Sequence, residues 1–283
     1  MFNIIMPKTI VINSSNYIQG SGNRFVYRFP QTSYFGIGSS IGVSNIAIYN
    51  SIQNITVKRG NNVIRLNWLG TDYNFLIPDG YYSVSDLNFY IQNQCIVNKL
   101  YVTASDNINN VYFIELAFNS IRYSTSLNLY AIPTESQAST LGYIKPVGAL
   151  WNYPIQPVCP SLSFNQSFGN LIGQTFGTYP PTASSVNIQF LSTQTPKISP
   201  VDSLILTCNL VNSKYSIPSN VLFTVPISSS LGSLINVNIS SLVFNDILAQ
   251  NFSSLEITIF DQLFNPVILL DTEMTLTLVI QEP

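Results

Sequence analysis

Histidine is missing from this chain of 283 residues, and charge is scarce: 11 Lys and Arg with 13 Asp and Glu, 8% of the whole. Without an imidazole there can be no Ser-His-Asp or Cys-His catalytic machinery, no His-ligated zinc and no histidine pH switch. Soluble proteins usually carry about 25% charged residues, so this one must clothe itself in Asn, Ser, Thr and Gln. The basic residues lie singly in a net charge of -2. Nothing forms the Lys/Arg stripe that neutralises phosphates, and direct nucleic-acid binding is not expected. Long apolar runs are lacking as well. The stretch 266–270 falls far short of the roughly 20 residues a spanning helix needs, so no membrane span is expected. The opening MFNIIMPKTIVIN has no basic start and no small-residue cleavage site, unlike a signal peptide. Cys95, Cys159 and Cys208 are odd in number and without Cys-x-x-Cys spacing, which favours free thiols in a reducing compartment over a disulfide or metal scaffold. No catalytic residue, metal ligand or cofactor is assigned, and an enzyme is not expected.

An A/T-biased genome would enrich Asn, Ile, Tyr and Phe, but it would enrich Lys too, and Lys is rare here. The scarcity of charge therefore reads as selected. Long charged side chains lose rotamer entropy and hydration at a buried contact, and interface cores are depleted of them. That is the composition of an assembly subunit.

Alternation with period two dominates what is present, as in strands with one buried face. Phe25, Tyr27 and Phe29 share a side, as do Leu204, Leu206, Cys208 and Leu210, then Val221, Phe223 and Val225. Ile235 with Val237, Leu255 with Ile257 and Ile259, and Met274 with Leu276, Leu278 and Ile280 repeat the pattern. Many short strands separated by Asn, Ser and Pro predict a mainly β fold, an antiparallel jelly-roll sandwich.

One helix is predicted over residues 84–98. Ser83 and Asp86 form a capping-box start, and Val84, Leu87, Ile91 and Cys95 come after them at helical spacing. Strands over 63–69 and 73–77, about a turn at 70–72, precede the helix, and strands over 100–104 and 111–118 succeed it. From 133 to 200 prolines punctuate Gly- and Ser-rich text, so sparse regular structure is expected there, with a short helix near 164–171. The organisation expected is a discontinuous jelly roll, 1–57 plus 186–283, interrupted by a large α+β, loop-rich insertion, 58–185. Loop-closure cost grows only slowly with length, so an insertion of this size is tolerated.

The stretches IPDGYYSVSDLNFYIQ (77–92) and SLEITIFDQLFNPVILLDTEMTLTLVIQ (254–281) resemble the penton, or minor capsid, proteins of virophages, polinton-like viruses and related large DNA viruses. NRFVYRFP and SSIGVSNIAIYNSIQNITV, near the start, are similar to the same proteins. The resemblance covers both ends and is thin across 133–200. It implies a structural subunit of the virion, one jelly roll with an inserted domain. Five copies would close an icosahedral vertex beside the major capsid protein, assembled in the host cytoplasm or nucleus. A vertex fibre or host receptor is a further partner it suggests. It also implies that Phe25, Tyr27, Leu206, Phe223, Ile257 and Leu278 are jelly-roll core, and that 261–266 is a turn between late strands.

Other residues admit a functional and a plain structural reading. Asp72, Asp79 and Asp86 recur every seven residues, yet the run crosses a strand, a turn and a helix start, where Asp serves as turn residue and cap. Trp68 alternates with Ile64 and Leu66 and belongs in a core. Trp151 with Tyr153 could be buried, the commoner fate of tryptophan, or be an exposed contact for a partner or a glycan. That second role would make the protein a carbohydrate-binding, receptor-recognition module, the alternative to a capsid subunit. Lys8 lies ahead of the first clear strand, either in an arm that latches onto a capsid neighbour or in a frayed end.

Overall fold

The computed structural model describes residues 7–106 and 108–283, so residues 1–6 of the opening segment read against a signal peptide lie outside the described part. The chain forms two compact units, Met1–Gln53 with Val201–Pro283, and Asn54–Pro200. The first unit opens with β1 (Lys8–Asn13), β2 (Arg24–Tyr34) and β3 (Ser40–Tyr49). The second unit comes next as β4 (Val63–Trp68), β5 (Thr71–Leu76), helix α1 (Val84–Val97), β6 (Val102–Thr103), β7 (Asn110–Val111), β8 (Ile114–Asn119), β9 (Ser124–Leu129), helix α2 (Glu135–Leu141), β10 (Ser161–Phe164), helix α3 (Gln166–Ile172), β11 (Gly177–Tyr179) and β12 (Ile188–Leu191). The chain then completes the first unit with β13 (Ser203–Cys208), β14 (Val221–Pro226), β15 (Leu234–Asn238), β16 (Phe244–Asp246), β17 (Asn251–Asp261) and β18 (Met274–Gln281).

Two antiparallel sheets make the first unit. One has the order β1-β18-β3-β15, with β16 also on β3; the other has the order β14-β13-β17-β2. Because β15 and β16 pair with successive parts of β3, they count as one interrupted strand. The unit's eight strands then lie in the orders first-eighth-third-sixth and fifth-fourth-seventh-second. That interleaving is the jelly-roll order, built from two Greek keys. Apolar residues of both sheets meet in one core, in which Phe25, Leu206, Ile257 and Leu278 are fully buried. Tyr27 and Phe223 sit half-buried at its margin.

Two irregularities break the simple alternation. The register of β13 against β14 shifts between Leu206 and Thr207, which makes Leu222 an extra residue, buried beside Phe223 and Val225, which face the core opposite Leu206 and Leu204. An extra residue, Ser44, bulges from β3 where β18 shifts between Thr277 and Leu278, leaving Val43 and Ile46 both buried. A bulge adds one unpaired residue and so reverses the facing of the residues beyond it. Close approach also dictates Gly42, where a Cβ would stand 2.9 Å from the Val243 carbonyl oxygen and 3.3 Å from the Phe244 ring.

The second unit has its own core, between the sheet β11-β10-β4-β5, the sheet β12-β9-β8 and α1. The Ser83 hydroxyl accepts the Asp86 N–H at 3.1 Å, and the Asp86 carboxylate accepts the Ser83 N–H at 2.9 Å, which starts α1. Val84, Leu87, Ile91 and Cys95 are its buried face. Asn88 of the helix accepts the Leu116 N–H of β8 at 2.8 Å, tying helix to sheet. The β4–β5 turn is Leu69-Gly70, at φ 51° and 88°, rather than the expected 70–72, because a two-residue hairpin of this twist needs both residues at positive φ.

Three expectations are corrected. Residues 54–57 and 186–200 belong to the second unit, and β12 pairs with β9 there. The proline-rich region holds the expected short helix, as α3, and is more regular than expected beside it, with α2 and three strands. Lys8 is neither a free arm nor a frayed end: it opens β1 opposite Ile280, and its Nζ lies 2.7 Å from Glu282.

Gly42→Ala is expected to lower stability by about 1–3 kcal/mol, the usual cost of forcing atoms into a closed space. A chemical-denaturation curve checks this, and an unchanged midpoint would contradict the assigned close approach.

Candidate functional site

Little in the described residues is arranged for chemistry. No group of three or more His, Cys, Asp or Glu among them could hold a metal ion, and none of their helices is long and apolar enough to cross a membrane. The three acidic residues spaced by seven do separate local jobs. Asp72 accepts the Asn67 amide at 2.6 Å, Asp79 accepts the Val57 N–H at 2.8 Å, and Asp86 caps α1. Hydrogen bonds from Ser83 hold the Asp86 carboxyl below its ordinary pKa.

All three cysteines are buried free thiols. Burial pushes the Cys95 and Cys208 thiols up to about 12 and raises Cys159 as well. A nucleophilic cysteine needs its thiolate near neutral pH, so these side chains act as core filling.

Trp151 takes the buried one of its two readings. It is 8% exposed, and its indole N–H donates to the Lys99 carbonyl at 2.6 Å. Its ring meets those of Trp68 and Tyr153 edge-on at 5.5 and 5.3 Å. Lys145 lies 5.6 Å over it while donating to the Trp151 carbonyl. Tyr153 is half-buried, its hydroxyl without a hydrogen-bond partner among the described residues. Burial, and then the charge of Glu135, raise its pKa. Neither ring is an open platform for a sugar, which removes the glycan site as first located.

What the surface offers instead is apolar. On the first unit Ile37, Tyr215 and Ile217 are 86%, 100% and 96% exposed, and Val243 and Leu263 are also open. Two ion pairs join described residues, Lys8 with Glu282 and Arg24 with Glu256. Both lie at the surface, where such pairs add little. The second unit contains an open cleft of about 990 Å³ between α2, the ends of β7 and β9, and residues 185–187. Sequence reasoning missed it because it missed α2, although Thr134-Glu135-Ser136-Gln137 carries the capping-box spacing that starts that helix.

No protein-family model matches the chain, and no curated protein matches it. Among solved structures, the mavirus penton protein is similar at 13% identity and a TM-score of 0.42, with 99% of each chain covered. A chain of the Sputnik virophage structure, determined by cryo-EM, is similar at 12% identity and a TM-score of 0.40, with 98% of each covered.

Trp151→Ala is expected to cost about 3–5 kcal/mol, as for a large aromatic removed from a core, read as a fall in the denaturation midpoint. The thiols make a second prediction. A group protonated more tightly when folded adds stability that is complete below its unfolded pKa and is lost as pH rises towards the folded value. Stability should therefore decline from about pH 9, the ordinary thiol value, towards pH 12. At pH 8 a thiol reagent should label Cys95 and Cys208 only after denaturant is added. Rapid labelling of the native chain would contradict their burial.

Proposed function

We propose that this chain is a structural capsid subunit of the penton type, which closes a homopentameric ring at an icosahedral vertex and abuts the major capsid protein in the virion. The observation that carries the reading is the surface of its jelly-roll unit: apolar side chains as open as Ile37, Tyr215 and Ile217 on a chain in which charge is 8% of residues. Single exposed apolar residues are ordinary. Apart from Lys214 beside Tyr215, their sequence neighbours here are uncharged, which is the composition of surfaces that become covered. The sequence resemblance at both ends of the chain supports the same reading.

The mechanism is association. Five-fold closure needs a heterologous contact, one flank of the sandwich meeting a different flank of the next copy until the ring closes. Uncharged flanks meet without stranding desolvated ions, a burden of several kcal/mol per unpaired charge. A contact burying about 1,200–2,000 Å² would hold such a ring. Catalysis, cofactors and direct nucleic-acid binding have no part in it.

Native mass spectrometry of the purified full chain tests the reading, with a pentamer as the expected species. Replacing Tyr215 and Ile217 together, Tyr215→Glu with Ile217→Lys, should shift rings towards monomers and leave the melting temperature of the monomer unchanged. A chain that stays monomeric at high concentration, under every assembly condition, would overturn it.

A further inference from the structure

We infer that the cleft of the second unit is a binding site for an uncharged carbohydrate. Its volume of about 990 Å³ lies at the upper end of ligand pockets, roughly 300–1,000 Å³, and leaves room for a short oligosaccharide. No Lys, Arg, Asp or Glu is among the residues that line it. Phosphorylated, sulfated or sialylated ligands would find no counter-ion there. The walls combine aromatic rings, Tyr112, Tyr130 and Tyr143, with the hydroxyl and amide side chains of Thr140, Gln137 and Asn187. Aromatic faces cover the C–H faces of a sugar ring, and neutral donors and acceptors match its hydroxyls.

The walls are held before any ligand arrives. The Tyr130 hydroxyl donates to Glu115 at 2.7 Å, and Asn128 donates to the same carboxylate oxygen at 3.0 Å. The Glu115 hydrogen bond, then burial, raise the Tyr130 pKa, so the ring stays a neutral phenol. Asn187 accepts the Ala131 N–H at 2.9 Å, which pins the 185–187 segment to the end of β9. Gly142 ends α2 at φ 69°, where a Cβ would lie 2.7 Å from that of Ser105, and the turn sets Tyr143 into the wall. Hydrogen-bonding capacity remains for a guest. The Tyr143 hydroxyl and the amide nitrogens of Gln137 and Asn187 make no hydrogen bond to other described residues. A site with fixed rings and unspent neutral donors loses little order when a polyol enters.

The full chain would be screened by saturation-transfer NMR against neutral oligomers of glucose, galactose, mannose and N-acetylglucosamine, with sialylated and sulfated glycans as comparators. Binding of at least one neutral oligomer, in preference to the anionic set, is expected. Thr140→Trp puts bulk into the cleft from an exposed position of α2 and should weaken binding roughly tenfold or more, about 1.4 kcal/mol or above. Tyr143→Phe, which keeps the ring and the fold, should weaken it severalfold. Asn93→Ala, on the outer side of α1, should leave it unchanged. No retained neutral glycan, or binding that ignores Thr140→Trp while the melting temperature holds, would overturn the inference. Ring formation is read separately by mass, so the fate of the capsid proposal does not decide this one.

Discussion

Everything in the first unit depends on closing one apolar interior between two sheets whose central strands come from opposite ends of the chain. β3 pairs with β18, and β2 with β17, across more than two hundred residues of sequence. The contacts that bury Phe25, Ile46, Ile257 and Leu278 therefore form only when the two ends meet. Such long-range pairing must meet its loop-closure entropy before burial rewards it. The second unit encloses its own core, and an independent core is what lets so long a segment interrupt the sandwich without its folding being tied strand by strand to the host.

The strands and the main helix were legible because their signals are local. Alternation at Leu276, Leu278 and Ile280 and the spacing of Leu87, Ile91 and Cys95 are fixed by which face must be dry. What was not legible is what a partner strand imposes. Nothing near Phe223 in sequence announces the shift of β14 against β13, and nothing near Ser44 announces the bulge opposite Thr277. The boundary near 186 failed for a similar reason, since Ile188 and Phe190 alternate like a strand and only pairing with β9 assigns them to the second unit.

The candidate surfaces were half legible. A shortage of charge is visible in composition, and its meaning as a covered surface rests on the cost of burying ions. The particular aromatics were not. Trp151 lies in loop-rich text that leaves burial and an exposed contact both open, and what decides for burial is remote in sequence: its indole N–H meets the Lys99 carbonyl and its ring packs on Trp68. The half-buried tyrosines of the cleft lie beside α2, a helix of seven residues without an apolar stripe to reveal it.

If uncharged flanks hold the copies together, association should resist salt, because ions screen charges and barely weaken apolar contacts. Sedimentation velocity of the full chain, from low ionic strength to roughly 1 M salt where the screening length is about 3 Å, tests that directly. The account predicts a species of five-subunit mass that persists or strengthens as salt rises. Dissociation into monomers over that range, or monomers throughout, would contradict it.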